Sequence, residues 1–565
     1  MSSPNPAPRP EPEARGLSPF RDRIAIGALL ALFVVLHLPV MVGLTRYHVD
    51  EHYYTDAAIR MVRTGDYLTP HFADGTPRFE KPILSYWAIA AAFRVFGVRV
   101  WASRLPSLLA VCLTLWFATR IAGVLFRDHA AVWLTAVILF SNNELYGAAL
   151  RATPDALLAL FLTMSALGFA HLFFGERREP WVYFLAYGGA GLGVAAKGFL
   201  PPLLVVYCWI FARWSLRFSL RRLIHPPSMA VGALAALGWF AAIFARHGTA
   251  ALSGFYTDQV GIRVGTTVSR VLSNGVSYLG VLPRDFLPWS LVLVPALLFA
   301  RSVLGAEIAR RRRSYLFVGG WYALLFVLFT AANLFKTRYF FPAYPLVAAA
   351  LASLIVAAVR DPRVAGWLRR VAGPAYGAVA VLGAAVAVAG LRLDRRIATA
   401  GAVWMVAALA LYFFTRRRGF HTRALAVGLM LALLVWVYDL QVRPVLSLSP
   451  VPRLVACLRA ARPTRVLGVG VEARYLSGIR LVSGGLYRPE PVSEVPAALP
   501  SGTLLIVSGR RRAAAAAAGY SLRSCGFGYR KVKTPEVLDV LRGGSRDALL
   551  ERHRKPFYLA EGPNP

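Results

Sequence analysis

The stretch IAIGALLALFVVLHLPVMVGL, residues 24–44, decides the class of this protein. It is an unbroken apolar run of about 20 residues, the length that an α-helix needs to cross the hydrocarbon core of a bilayer. Arginines precede the run, no small-residue cleavage site follows it, and it is longer than the apolar core of a signal peptide. The stretch therefore predicts a retained membrane anchor, preceded by a disordered cytoplasmic tail over residues 1–23.

The composition of the whole chain extends this conclusion. Hydrophobic residues make up 57% of the 565 residues, which is too large a share for a soluble globule of this length. The net charge of +36 could indicate nucleic-acid binding, but the basic residues are nearly all Arg and lie in short clusters between apolar runs. Clusters in such places orient membrane helices. We therefore predict an all-α polytopic membrane protein that binds no nucleic acid.

Thirteen apolar runs are candidate membrane spans. If the N-terminus is cytoplasmic, every second connection should be basic, and the connections follow this rule except for the short one that contains Arg392. An odd number of spans places the C-terminus outside. The predicted spans are 24–44, 103–124, 130–150, 155–174, 181–197, 200–214, 229–246, 286–300, 315–333, 339–359, 371–391, 398–415 and 424–440.

The pattern changes after about residue 441. TRVLGVGV and GTLLIVSG have the composition of short buried strands, and AAAAAAGY and TPEVLDVLRG that of helices. We predict a transmembrane domain over 24–441, with outer loops 45–102 and 247–285, and a small periplasmic α/β domain over 442–565. Cys457 and Cys525 lie in this last domain and could pair only if it is outside.

Unusual polar residues gather on the predicted outer side, at the ends of spans. Ionisable side chains at such depths are costly and usually functional. If a helix begins at Glu51, Asp50 and Tyr54 lie on one of its faces, and Pro82 suits the first turn of a helix that follows Lys81. The set comprises Asp50, Glu51, Glu80, Lys81, Asp155, Lys197, Lys336, Arg338 and Tyr339.

Each of these residues also has a purely structural explanation. His48 and His52, four residues apart beside Asp50, are a weak metal motif, so a divalent metal is possible but not supported and no cofactor is predicted with certainty. The structural alternatives are a helix cap for Asp50 or Asp155, a surface charge pair for Glu80 and Lys81, a snorkelling side chain for Lys197 and an interfacial aromatic ring for Tyr339.

Two motifs in the first outer loop carry a family resemblance. VDEHYYTDAA at 49–58 and RFEKPILSYW at 78–87, followed by an aspartate at the head of the fourth span, resemble family 39 and related glycosyltransferases of the GT-C fold. The bacterial lipid A aminoarabinose transferases, with DE-x-x-Y, F-E-K-P-x-x-x-Y-W and K-L-P-x-Y, are the most similar, and the protein O-mannosyltransferases are more distant. The resemblance covers about residues 24–350.

The resemblance assigns roles to individual positions. Asp50 and Glu51 match the acidic pair of the family, Tyr54 its tyrosine, Glu80 and Lys81 the F-E-K-P pair, Asp155 the fourth-span aspartate, and Lys336 and Tyr339 the K-L-P-x-Y motif, with Thr337-Arg338 in place of Leu-Pro. It implies that Asp50, Glu80 and Asp155 surround the reacting centre. It also implies that Lys81, Tyr54, Lys336 and Tyr339 bind the donor phosphate or lipid.

Besides Thr337-Arg338, the chain departs from the family pattern at three further places. Tyr53 replaces the usual Arg, Arg78 replaces the usual Tyr, and the chain has no His between Gly248 and Phe420, where the aminoarabinose enzymes carry a zinc-binding histidine. The sequence therefore supports neither a zinc site nor aminoarabinose as the sugar.

The resemblance implies an inverting glycosyltransferase of the bacterial inner membrane, with its active site in the periplasm. The donor would be a sugar on undecaprenyl phosphate or another polyprenyl phosphate. The acceptor would be lipid A, another envelope glycolipid or a protein. A protein O-mannosyltransferase, an oligosaccharide ligase and a non-enzymatic flippase of lipid-linked sugars remain alternatives.

Overall fold

The structure is a computed structural model that describes residues 19–257, 261, 267–333, 335–529, 536 and 545–562. Within these ranges, nine helices are long and apolar enough to cross a membrane, or ten if one bent pair counts as a single span. The predicted class, an all-α polytopic membrane protein with a small C-terminal sheet, is therefore confirmed. Most of the predicted N-terminal tail, and most of the predicted helix TPEVLDVLRG, lie outside the described residues.

Residues 19–257, the described first half of the membrane part, contain twelve helices. They are α1 (Pro19–Met41), α2 (Glu51–Thr64), α3 (Leu84–Phe96), α4 (Val100–Phe126), α5 (His129–Phe140), α6 (Asn143–Ala149), α7 (Asp155–Phe174), α8 (Pro180–Tyr183), α9 (Gly189–Lys197), α10 (Leu200–Trp214), α11 (Pro226–His247) and α12 (Thr249–Tyr256). A π-helical turn, Phe184–Gly188, joins α8 to α9.

The second half contains ten more helices among the described residues. They are α13 (Val268–Leu279), α14 (Val281–Asp285), α15 (Leu293–Phe299), α16 (Arg301–Arg310), α17 (Arg312–Thr330), α18 (Tyr344–Val359), α19 (Pro362–Leu393), α20 (Arg395–Thr415), α21 (Phe420–Val437) and α22 (Arg443–Leu446). The 3₁₀ segment Thr337–Ala343 leads into α18.

All thirteen predicted spans are helical, but four of them are shorter or broken. The run 130–150 divides into α5 and α6 because the Asn142 side chain accepts hydrogen bonds from the backbone N–H groups of Glu144 and Leu145 and so starts a new helix. The run 181–197 contains the π turn, and α10 is a 15-residue helix. The run 286–300 forms the second arm of a pair bent by 91°.

Small residues allow close contacts between the membrane helices. At the α19–α20 contact, a Cβ atom added to Gly390 would lie 2.1 Å from the backbone nitrogen of Ala398, and one added to Gly401 would lie 2.2 Å from that of Ala387. These distances leave no room for a side chain. The two helices therefore pack backbone to backbone, as small residues permit in membranes.

The described residues of the C-terminal part form a five-stranded mixed sheet of order β2-β1-β3-β5-β4. The predicted strands at 464–471 and 502–509 are present as β1 (Arg465–Val469) and β3 (Thr503–Ser508), which pair in parallel. Three further strands were not predicted from the sequence: β2 (Glu490–Val492), β4 (Ser521–Tyr529) and β5 (Arg554–Glu561). The helices here are α23 (Val451–Ala461), α24 (Ala473–Val482), α25 (Arg512–Ala517) and α26 (Arg546–His553).

The C-terminal part packs against α2 through a buried polar network. Nη1 of Arg480 on α24 donates to Oδ2 of Asp56 at 2.7 Å. The hydroxyl groups of Tyr47, Thr55 and Ser477 lie within 2.9–3.1 Å of one another. Because α24 contacts one side of α2, the C-terminal part helps to fix the position of α2, the helix that follows Asp50.

Cys457 and Cys525 form a disulfide, with 6.1 Å between their Cα atoms. Cys112 and Cys208 are free thiols. We expect protein denatured without reductant to react with iodoacetamide at two cysteines, and at all four after reduction. Intact-mass measurement distinguishes the two cases, and four modified cysteines before reduction would contradict the disulfide.

Candidate active site

A cavity of about 250 Å³ lies where the first turns of α2 and α7 and the end of α9 meet the segments 78–81 and 336–339. All seven residues predicted as site residues line it: Asp50, Tyr54, Glu80, Lys81, Asp155, Lys336 and Tyr339. The other lining residues are Tyr53, Arg78, Thr153, Pro154, Lys197 and Arg338. The fold thus brings together five separate segments of the chain.

Asp50 lies immediately before α2, with its side chain one-third exposed. Nη2 of Arg338 donates to Oδ2 of Asp50 at 2.8 Å, and Nδ1 of His48 lies 3.7 Å from the same oxygen. In the described part of the chain, the Asp50 side chain makes no capping hydrogen bond to α2. The helix-cap hypothesis for Asp50 is therefore wrong, and its carboxylate faces the cavity.

Asp155 begins α7 and is held between two cations. Its Oδ1 pairs with Nζ of Lys197, the last residue of α9, and its Oδ2 lies 3.8 Å from Nη1 of Arg338. The Thr153 hydroxyl donates to Oδ2 at 3.3 Å. The snorkelling hypothesis for Lys197 is wrong, because its ammonium group points to Asp155 and not along the apolar surface.

Arg338 is a cavity residue whose contacts the sequence did not predict. Thr337 and Arg338 stand where the family motif has Leu-Pro. In the structure Arg338 contacts both Asp50 and Asp155 and so links the first outer loop to α7. The sequence signal for it is a second basic residue, two positions after Lys336, at the outer end of a predicted span.

Arg78 is the second cavity residue of this kind. Its Nε and Nη2 donate to Oε2 of Glu80 at 3.2 and 2.9 Å, so Arg78 forms an ion pair with Glu80. The guanidinium also lies over the ring of Tyr53, 4.3 Å from its centroid. An Arg that pairs with a carboxylate and covers an aromatic ring fixes both side chains at the cavity wall.

Lys81 lines the cavity but does not lie in the first turn of a helix. The expected helix starts at Leu84, two residues after Pro82, with Ile83 at its N-cap. Residues 80–83 form bends instead. The charge that Lys81 brings to the cavity is therefore its own ammonium group, and the prediction that the helix begins at Pro82 is wrong.

Aromatic contacts position Tyr54 and Tyr339, and a backbone hydrogen bond positions Lys336. Tyr54 is buried, with its ring centroid 5.1 Å from that of Tyr86. Tyr339 packs on Phe329 at 5.0 Å. The backbone N–H of Lys336 donates to the Tyr278 hydroxyl at 3.1 Å, which holds the start of the 3₁₀ segment in place.

Glu51 belongs to the same motif as Asp50 but does not line the cavity. Its side chain is fully buried, and its Oε2 lies 3.2 Å from Nε of Arg104 on α4, which is also fully buried. Its Oε1 accepts the backbone N–H of His48 at 2.7 Å. The acidic pair is thus divided between a carboxylate at the cavity and one that fixes the loop behind it.

The cavity lining carries more positive than negative charge. Arg78, Lys81, Lys197, Lys336 and Arg338 outnumber Asp50, Glu80 and Asp155. Such a lining favours an anionic ligand such as a phosphate. Among the described residues, no group of three or more His, Cys, Asp or Glu could hold a metal ion. His247, near the expected position of the family histidine, instead bonds the Thr69 hydroxyl through Nε2 at 2.9 Å.

The ionisation of Asp50 is expected to depend on Arg338. Burial alone raises the pKa of Asp50, but the hydrogen bond and charge of Arg338, with help from His48 and Lys336, outweigh burial and hold the pKa below its usual range. If ionised Asp50 is needed, activity falls as the pH drops through this lowered pKa. Replacing Arg338 by Gln removes the main opposing charge, so the acid limb should move up by about 1–3 pH units.

A pH profile of kcat/KM checks this expectation. Arg338→Lys keeps a cation beside Asp50 and should leave the acid limb nearer its original position. An acid limb that is the same in the Gln variant and in the unmodified protein would contradict the role given to Arg338.

Three comparisons place this chain beside known proteins. Residues 24–245 match the family model described as dolichyl-phosphate-mannose-protein mannosyltransferase. The undecaprenyl phosphate-alpha-4-amino-4-deoxy-L-arabinose arabinosyl transferase of Enterobacter sp. (strain 638) is 26% identical over 365 residues, which are 63% of this chain and 63% of that protein. The protein of the same description from Pseudomonas aeruginosa (strain UCBPP-PA14) is 30% identical over 290 residues, 50% of this chain and 51% of the relative.

The structural likeness covers more of the chain than the sequence matches do. The crystal structure of ArnT from Cupriavidus metallidurans bound to undecaprenyl phosphate has a TM-score of 0.68 at 18% identity, over 95% of this chain and 98% of that one. The apo state of the same protein has a TM-score of 0.65. The resemblance is thereby confirmed at the level of fold: this chain has the polytopic membrane fold of ArnT.

Proposed function

We propose that this chain is a membrane glycosyltransferase that moves a sugar from a polyprenyl phosphate, of the undecaprenyl type, to an extracytoplasmic acceptor. The observation that carries the proposal is the cavity that brings Asp50, Glu80 and Asp155 together with five cations. The names of the similar arabinosyl transferases and the undecaprenyl phosphate bound to ArnT support a polyprenyl phosphate donor.

The cations of the cavity serve the donor. As the bond between sugar and phosphate breaks, negative charge develops on the leaving phosphate, and fixed cations stabilise it. Lys81 is assigned to that phosphate, together with Lys336, Tyr54 and Tyr339, which line the same cavity. A lipid phosphate as leaving group requires no nucleotide.

The carboxylates serve the acceptor and the sugar. A hydroxyl acceptor must lose a proton as it attacks, and Asp50, ionised and facing the cavity, is assigned as the base or as the group that positions the acceptor. Glu80 orients Arg78 and the sugar, and Asp155 orders Lys197 and Arg338. A single displacement by the acceptor inverts the anomeric carbon.

The proposed orientation places this cavity and the C-terminal domain (442–565) in the periplasm, the N-terminal tail (1–23) in the cytoplasm and the transmembrane domain (24–441) in the bacterial inner membrane. The basic connections support it. The Cys457–Cys525 disulfide supports it independently, because disulfides persist in oxidising compartments. The acceptor is an envelope glycolipid such as lipid A, or a protein.

The test compares envelope glycolipids and glycoproteins by mass spectrometry in cells that carry the unmodified protein, Asp50→Asn or Lys81→Ala. We expect one sugar mass to disappear from one acceptor in both variants while the lipid-linked sugar accumulates on the periplasmic side. Asp74→Asn is the matched control, because Asp74 lies in the same outer loop and bonds Thr76 outside the cavity.

The same measurement separates the proposal from its rivals. Loss of a sugar from proteins alone identifies a protein O-mannosyltransferase-like enzyme. Lipid-linked sugar stranded in the inner leaflet of the variants identifies a flippase and overturns the proposal. Unchanged glycans and lipid-linked sugars in both variants would also overturn it.

A further inference from the structure

A second cavity, of about 520 Å³, shares no lining residue with the first. It lies between the segment around α6 and the helices α19, α20 and α21. Its lining residues are Arg46, Asn143, Glu144, Arg151, Leu382, Trp404, Leu434, Val435, Tyr438 and Arg443. One end of the lining is therefore basic, and the other is apolar.

The basic end holds three arginines and one carboxylate, Glu144, whose Oε2 lies 3.6 Å from Nη2 of Arg151. Behind them, the fully buried Asp439 orders two of the guanidinium groups, with Nε of Arg46 at 2.5 Å and Nε of Arg443 at 2.7 Å. These pairs use the Nε groups, and a guanidinium has five N–H donors in a planar fork that suits phosphate oxygens. The arrangement is a pre-ordered cationic cluster rather than a set of mobile surface chains.

The apolar end belongs to helices that are long and apolar enough to cross the membrane. Leu382 on α19 is 56% exposed, as expected for a side chain that faces lipid. Trp404 on α20 is only 9% exposed, and its indole N–H is buried without a hydrogen-bond partner among the described residues. A buried donor in this position costs free energy unless a ligand supplies an acceptor.

We infer that this cavity is a binding site for an anionic phospholipid. The phosphate of the lipid lies against Arg46, Arg151 and Arg443, an ester or phosphate oxygen accepts the Trp404 N–H, and an acyl chain follows Leu382 and Leu434 along the helices. Only an amphipathic anion satisfies both ends of the lining. The bound lipid fills the space between the α19–α20 pair and the rest of the bundle, and it does not take part in sugar transfer.

The test uses the purified full-length protein. Native mass spectrometry measures the lipid retained after exchange into phosphatidylglycerol or, in parallel, phosphatidylcholine. We expect retention of phosphatidylglycerol over phosphatidylcholine, and about a tenfold loss of this preference in Arg443→Gln and in Trp404→Phe, each of which removes donors to the lipid. Arg360→Gln is the control, because it removes an Arg–Asp128 pair of 2.8 Å outside the cavity.

Competition experiments show whether the bound phosphate belongs to a phospholipid, to undecaprenyl phosphate or to free inorganic phosphate. Inorganic phosphate should not displace phosphatidylglycerol, because it cannot use the apolar wall. Complete displacement by undecaprenyl phosphate would make the cavity part of the donor path and would overturn the proposal. Equal retention of both phospholipids by the unmodified protein would overturn it too, as would losses in the two cavity variants no larger than in Arg360→Gln. None of these readouts depends on sugar transfer.

Discussion

Replacing Asp50 by Asn is expected to reduce sugar transfer by about 10²–10⁴-fold, the range typical of a lost general base. Asn has nearly the same shape, and its amide oxygen can still accept the hydrogen bond from Arg338, so the protein should fold normally. What is lost is the negative charge that takes a proton from the acceptor or holds the acceptor in place.

The measurement is the rate at which the sugar mass appears on the acceptor after induction of each variant in cells that lack the unmodified copy. Equal protein levels and equal melting temperatures exclude a folding defect. Asp74→Asn should transfer at the rate of the unmodified protein. Retention of more than about a tenth of the rate in Asp50→Asn would remove Asp50 from the chemistry.

The second large effect concerns stability. Replacing Arg104 by Ala is expected to lower the free energy of unfolding by about 3–5 kcal/mol, because Glu51 would remain buried with an uncompensated charge. Arg104 also donates through Nη1 to the backbone carbonyls of Met41 at 3.0 Å and Gly43 at 2.7 Å. Its loss therefore loosens the end of α1 as well as the loop that leads to Asp50.

Thermal unfolding in detergent measures the change. The double variant Glu51→Gln/Arg104→Met removes both charges and should recover part of the loss. Arg465→Ala is the control, since its pair with Glu490 at 2.6 Å is half exposed and should contribute less than about 1 kcal/mol. Equal destabilisation by Arg104→Ala and Arg465→Ala would show that the buried Arg104–Glu51 pair contributes no more to the free energy of unfolding than an exposed pair.

Asp50 belongs to a network of ion pairs around Arg338, so the effect of replacing Asp50 depends on the other members of that network. Arg338 contacts Asp50 and Asp155, and Asp155 also pairs with Lys197. Substitutions within one such network are not additive. Combining Asp50→Asn with Arg338→Gln should therefore cost less activity than the product of the two single effects.

Much of this protein was determined by the sequence alone. Bilayer thickness sets the length of an apolar run, and a helix satisfies its own backbone hydrogen bonds, so residues 24–44 and the other runs predict helices without knowledge of the rest of the chain. The seven candidate site residues were also found from the sequence, because a motif is a local pattern and charged residues at span ends stand out against apolar neighbours.

The tertiary structure alone decided how those residues are used. Arg338 and Asp50 are 288 positions apart, and Lys197 and Asp155 are 42 apart, so no local pattern reveals that they pair. Adjacent acids in one motif, Asp50 and Glu51, have different environments because successive residues at the start of a helix point in different directions, one to the cavity and one to Arg104. Ion pairs, burial and strand partners depend on which distant segments the fold brings together, and that information is not local.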